Sequence, residues 1–382
     1  QASCVKDNVT GLIWEVKTND SGLHDKDDVY SWYNTLNTAE NLNVPGFDRP
    51  SNTAIRADVS NSNVNGSDDV CFGYDSSDPD NTAKLCNTQA FVARVNTAGL
   101  CGASDWRIPS REELRSLIKM DNMQIKGGIS YIDSDYFPHN KASYKVQCYD
   151  YFEQIDGVYT LKASAASDPD YQTYCSNFTV GDDDLTRGRG FGYATANSSV
   201  TKEASSWMMY FDDFTVAHGI IKDELRYVRL VRGTKLATNA SSRYTAQGNG
   251  TVKDNITGLT WKRCLEGYLF DSGTSSCSVD ASDVSTFTWA AALQRAQTVA
   301  NDNGIIWRVP NMKELGSITK HDVVHVAIDT DAFPDTPTSG QTWTASPHTG
   351  TGSSVWTITF NNGGDRVNRQ TDQLPTLRLV HD

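Results

Sequence analysis

A chain of 382 residues is long enough for two or three domains, each with a core of its own. Apolar residues make up 38% and aromatics 10%, the balance of small domains with aromatic cores, many loops and a broad polar surface rather than of disorder. A formal charge of −13 opposes nucleic acid and anionic lipid, and no apolar run approaches the length of a spanning helix, so neither nucleic-acid binding nor membrane insertion is expected.

The chain opens Gln1-Ala2-Ser3-Cys4, with no basic, apolar leader. It reads as a secreted, extracellular or cell-surface protein whose signal peptide has already been removed. Eight cysteines, none in a C-x-x-C pair, point to disulfides in an oxidising compartment rather than to zinc or a redox centre.

Taken in chain order, five blocks occur twice. Val5 to Trp14 (VKDNVTGLIW) returns as Val252 to Trp261 (VKDNITGLTW), and Trp106 to Leu114 (WRIPSREEL) as Trp307 to Leu315 (WRVPNMKEL). Asp135 to Pro138 returns as Asp331 to Pro334, Trp207 to Phe211 as Trp356 to Phe360, and Tyr227 to Arg232 as Thr376 to His381. Val252 stands 247 positions after Val5, but Trp356 only 149 after Trp207. The first copy therefore carries added chain, near 37–85 and near 140–203. These spacings predict a first domain over 1–233, a linker over 234–249 rich in Ser, Thr, Asn and Ala, and a near-minimal second domain over 250–382.

Each block has a local meaning. Asp7-Asn8 and Asp254-Asn255 before Thr-Gly are turn chemistry, and the Leu-x-Trp that follows alternates as a half-buried strand does. Phe287 to Asp302 predicts a helix capped by Thr288, with Trp289, Ala292, Leu293 and Ala296 on its inner face. In the first copy the corresponding residues are split by added chain, Tyr30 and Trp32 before it and Phe91, Val92 and Val95 after. Ser110 with Glu113, and Asn311 with Glu314, predict capping boxes at the start of a second helix. Trp356 to Phe360, the Asn362-Gly-Gly turn and Thr376 to Val380 predict strand, turn and strand. Each copy is thus an α+β unit, a twisted, mainly antiparallel sheet with two helices.

These blocks resemble the Lcl C-terminal domain family, also called DUF1566, through D-N-x-T-G-L-x-W, W-R-[IV]-P-x-x-x-E-L, F-P, an aromatic strand and a closing R-L-V. The resemblance implies two tandem C-type-lectin-like domains, distantly similar to the formylglycine-generating enzyme fold, in an exported bacterial protein. The member that names the family is an adhesin for sulfated polysaccharides; a charge of −13 opposes such a polyanion, so that ligand is not carried over.

The repeated residues Trp14, Trp106, Trp207, Trp261, Trp307 and Trp356 are expected in the core. Arg107 with Glu113 and Arg308 with Glu314 are expected to be structural, the glutamates capping and the arginines buried and bracing loop carbonyls, while Arg229 and Arg378 belong to the closing R-L-V. Ligand contacts are expected in the added chain, at Tyr149, Tyr151, Tyr171 and Tyr174. Asp182, Asp183 and Asp184 offer hard oxygen ligands suited to calcium, the one cofactor the sequence brings up. Cys264–Cys277 is the only pair available in the second copy. Cys148–Cys175, Cys71–Cys86 and Cys4–Cys101 are the pairings expected in the first, whose six cysteines also allow others.

The histidines are scattered, and no phosphate loop, nucleophile elbow or zinc-protease spacing occurs, so no enzymatic activity is expected. The expected function is non-catalytic binding or adhesion at a bacterial surface, to polysaccharide or a surface protein. The alternative is a structural subunit of a filament, pilus or matrix whose partners are copies of itself.

Overall fold

The computed structural model describes residues 3–46, 71–73, 85–119, 131–139, 192–199, 202–211, 216–222, 225–235, 243–281, 286–320, 326–337, 339–348, 353–372 and 376–382, with short strand segments at 146–147, 152–155, 158–161 and 186–187.

In the first copy β1 (Cys4–Lys6) and β2 (Ile13–Glu15) form a hairpin. Its turn closes by Asp7 N donating to Leu12 O at 2.8 Å and by Gly11 at φ 75°, a conformation that suits glycine. Then come α1 (Thr38–Asn41), α2 (Thr88–Ala98) and α3 (Arg111–Ser116). Two small ribbons follow, β3 (Val146–Gln147) with β6 (Thr186–Arg187), and β4 (Phe152–Ile155) with β5 (Val158–Leu161). β7 (Tyr193–Ser199), β8 (Lys202–Met209) and β9 (Val216–Ile221) make an antiparallel sheet, and β10 (Val231–Arg232) returns to pair with β2.

The second copy begins with β11 (Tyr244–Ala246), β12 (Thr251–Asp254) and β13 (Thr260–Lys262), then a hairpin of β14 (Tyr268–Asp271) and β15 (Ser276–Val279). After α4 (Trp289–Asn303) and α5 (Met312–Ser317), β16 (Thr342–Pro347), β17 (Ser354–Thr359) and β18 (Gly364–Arg369) form its second sheet. β19 (Val380–His381) closes the first sheet beside β13, in the order β11-β12-β13-β19.

The duplication extends to individual hydrogen bonds. Arg107 and Val231 exchange backbone bonds as Arg308 and Val380 do, at 2.9 and 3.0 Å in both copies. Tyr131 N donates to Phe211 O at 2.7 Å, and Ala327 N to Phe360 O at 2.6 Å. The Trp32 indole donates to Thr195 O at 2.8 Å, and the Trp289 indole to Thr344 O at 2.9 Å. Trp32 precedes the added chain, whereas Trp289 is the first residue of α4. The insertion therefore enters between a core indole and its helix without displacing the indole.

Three expectations are corrected. The segment 234–249 is not all linker, because Tyr244–Ala246 is an edge strand on β12. The counterpart of β16 is β7, so the chain added to the first copy ends before Tyr193 and not near 203. In α4, Leu293 is 37% exposed; the buried stripe is Ala292, Ala296 and Val299, which share one face at helical spacing.

The copies do not hang apart. One hydrophobic core runs through both, with Trp14, Leu114 and Val231 from the first and Trp261, Leu315 and Val380 from the second; a smaller core lies under α4 around Val299, Trp307 and Trp343. Among the described residues three disulfides, Cys4–Cys101, Cys71–Cys86 and Cys264–Cys277, are formed. Among the described residues no helix is long and apolar enough to cross a membrane.

Candidate functional site

The repeated charged residues build scaffold. Pro109 and Pro310 enter the α3 and α5 caps, and Glu113 then performs two tasks. Its Oε2 accepts Ser110 N at 2.8 Å, closing the capping box, while Arg107 grips both carboxylate oxygens at 2.7 Å. Glu314 does the same with Asn311 N at 2.8 Å and Arg308 at 2.7 and 3.0 Å. Arg107 and Arg308 are half-buried, not buried, and their main partners are these glutamates, the stronger acceptors; Arg107 also reaches the Gly233 carbonyl at 3.3 Å, whereas Arg308 adds the Asp382 carboxylate at 2.7 Å.

Carbonyl bracing falls chiefly to Arg229 and Arg378, both fully buried. Arg378 donates to Lys262 O at 2.8 Å, Arg263 O at 2.6 Å and Thr336 Oγ1 at 2.8 Å, with its guanidinium 4.8 Å from the Phe333 ring centre. Arg229 donates to Glu15 O at 2.7 Å and sits 4.7 Å from the Phe137 ring centre. The R-L-V arginine thus holds the end of the first hairpin against the F-P phenylalanine in each copy. Trp14, Trp106, Trp207, Trp261, Trp307 and Trp356 are all buried, and of these Trp307 also lines a cleft in the second copy.

Tyr149, Tyr151, Tyr171, Tyr174, Asp182, Asp183, Asp184 and the Cys148–Cys175 pair lie outside the described residues. Among the described residues, no group of three or more His, Cys, Asp or Glu side chains comes together as a metal site.

Two clefts remain. The larger, about 610 Å³, opens in the first copy between α2 and residues 33–40, where the added chain leaves the core. Its apolar surface comes from Trp32, Leu36 and Val92, and Leu36 is 83% exposed. The local fold is set by amides: Gln89 Oε1 accepts Thr35 N at 2.8 Å, and Asn34 Oδ1 accepts Leu36 N at 3.0 Å. Below it Lys222, fully buried, donates to Asn41 O at 3.1 Å and lies 4.4 Å from the Trp32 ring centre, pinning α1 to β9. Lys235, just past β10, pairs with Glu40 across the rim. Burial pulls the Lys222 ammonium down to about 8.

The smaller cleft, about 430 Å³, lies in the second copy beside the β14–β15 hairpin. Its base is Glu266, 2% exposed and bridged by Lys262 at 2.6 Å and Arg295 at 2.7 Å. Neither cleft was anticipated from the sequence. The one available signal for the first was the splitting of the helix block after Trp32, which forces added chain to leave the core there.

The arrangement of apolar floor, amides and a few paired charges is suited to binding. The family model of the Lcl C-terminal domain matches residues 62–232 and 250–381 of this chain. No curated protein and no solved structure matches it.

Proposed function

The chain belongs to the Lcl C-terminal domain family as two tandem copies, and from that premise we propose that it is a non-catalytic extracellular surface protein that binds polysaccharide or a surface protein through chain added to its first copy. One observation carries this reading. The larger cleft stands at the root of the first insertion, between residues 33–40 and α2, a place where the second copy has no added chain and α4 starts directly at Trp289. Recognition elements commonly sit on loops fixed to a rigid scaffold, and here the repeated motifs supply the scaffold. Three disulfides among the described residues agree with an oxidising, extracellular setting.

The test is a glycan array, together with a panel of host and bacterial surface proteins, probed with the protein and with Leu36→Asp and Gln89→Ala variants. A hit that weakens at least about tenfold in either variant, a loss of about 1.4 kcal/mol, supports the cleft. Hits indifferent to both variants, or no hits at all, sink this reading.

A further inference from the structure

Three charged side chains line the larger cleft, Glu40, Arg107 and Lys235, and each has a partner within the protein. Glu40 pairs with Lys235 and accepts the Asn34 amide at 3.2 Å. Arg107 is held by both oxygens of Glu113. A charged ligand would have to break one of these pairs and strand its partner, so the cleft favours a ligand without charge.

The main chain of one wall is committed as well. The N–H groups of residues 33 to 37 all donate within the protein. Tyr33 donates to Thr88 Oγ1 at 2.9 Å, Asn34 to Pro45 O at 2.9 Å and Thr35 to Gln89 Oε1 at 2.8 Å. Leu36 and Asn37 donate to Asn34 Oδ1 at 3.0 and 3.1 Å. An extended peptide therefore finds no row of main-chain donors here.

The other wall is a face of α2, where Gln89, Val92 and Asn96 follow one another at helical spacing. Asn96 is closed, its amide accepting Trp106 N at 2.8 Å and donating to Trp106 O at 2.9 Å. Gln89 is different: its Oε1 holds the Thr35 N–H and hydroxyl, while its Nε2 has no partner among the described residues. The Tyr33 hydroxyl has none either. Beside them stand the exposed Leu36 and the half-buried Val92.

With the larger cleft taken as the binding site, we propose that its ligand is an uncharged acetamido sugar, an N-acetylhexosamine residue of a glycan. One acetamido group matches all of these features. Its carbonyl oxygen accepts from Gln89 Nε2, its N–H donates to the Tyr33 hydroxyl, and its methyl covers Leu36 and Val92. A plain hexose has hydroxyls for Gln89 but no methyl for the apolar walls. An amino sugar or a uronic acid brings a charge for which the cleft holds no uncommitted counter-ion.

The test is saturation-transfer NMR on the whole protein with the methyl glycosides of N-acetylglucosamine and N-acetylgalactosamine, beside those of glucose, galactose, glucosamine and glucuronic acid. At least one acetylated glycoside is expected to bind at least about tenfold more tightly than its parent hexose, with the strongest transfer at its acetyl methyl. Gln89→Glu keeps an acceptor for Thr35 but loses the donor, and is expected to weaken that binding at least about tenfold. Leu36→Asp should do the same, with circular dichroism unchanged in both variants. If neither acetylated glycoside exceeds its parent hexose, or if the amine or the uronide binds as well, the acetamido assignment is overturned. Array hits that still weaken in Leu36→Asp would then keep the cleft as the binding site and reject only this ligand class. Binding of an acetylated glycoside that neither variant weakens overturns its assignment to this cleft.

Discussion

Arg115 in α3 lies against Gly316 in α5, its own counterpart in the second copy: a Cβ added at Gly316 would stand 2.3 Å from the Arg115 guanidinium carbon. The equivalent helices of the two copies thus meet, and the chemistry on either side is unequal. Arg115 reaches across to Asp365 at 2.6 Å, both nearly buried. Arg111 donates to Thr319 Oγ1 at 2.8 Å and Gly363 O at 3.2 Å, with Trp207 against its guanidinium. The second copy answers with Met312 at the position of Arg111 and glycine at that of Arg115.

This junction gives the first prediction. Burial pushes the Asp365 carboxyl up, against the pull of Arg115 and Arg111, so its charge is held at a cost. Asp365→Ala leaves Arg115 buried without its carboxylate and is expected to cost about 3–5 kcal/mol in urea unfolding. Replacing both partners, Arg115→Met with Asp365→Leu, is expected to recover most of that loss. Gly316→Ala, which crowds a guanidinium held by its ion pair, should cost about 1–3 kcal/mol. A silent Asp365→Ala would show that the junction contributes nothing.

The two capping glutamates should differ in weight. Glu113 is fully buried, and its loss unpairs Arg107 and the Ser110 N–H together. Glu113→Ala is expected to cost about 2–3 kcal/mol. Glu314 is partly open to solvent, so screening reduces the effect of Glu314→Ala to about 1 kcal/mol. Equal losses by thermal or urea unfolding would show that burial does not set the difference.

Acid should loosen the first copy through Glu15. Burial alone would push its carboxyl up, but Lys17 at 3.2 Å, His24 at 2.8 Å and the Leu230 N–H at 2.8 Å hold it down from an ordinary 4.5 to about 2. A carboxyl lowered on folding stabilises fully above its unfolded pKa, and that stability drains as pH falls toward the folded value. Between about pH 4.5 and 2 the loss should be on the order of 3 kcal/mol. Unfolding followed by urea across this range should show it, and Glu15→Gln should flatten the curve there.

Removing Cys264–Cys277 as a serine pair is expected to cost about 3 kcal/mol, since it closes a loop of 13 residues. Cys4–Cys101 closes 97 residues, and losing it should cost nearer 4–5 kcal/mol. Denaturation of each serine pair checks the order.

The sequence by itself determined what short-range chemistry can encode: the duplication, the turns at Gly11 and Gly258, the caps at Ser110, Thr288 and Asn311, and the Cys264–Cys277 pair, while Cys71–Cys86 and Cys4–Cys101 are two among the pairings that six cysteines allow. Those it determined depend on residues close in sequence or on a repeat visible by alignment. Tertiary structure alone decided which arginines brace carbonyls, that Trp32 fills the place of Trp289, that Tyr244–Ala246 leaves the linker to cover β12, and that Arg115 meets Gly316. Those outcomes depend on the shapes and buried charges of surfaces distant in sequence, and nothing local distinguishes a half-buried Arg107 from a fully buried Arg229 until the chain has packed.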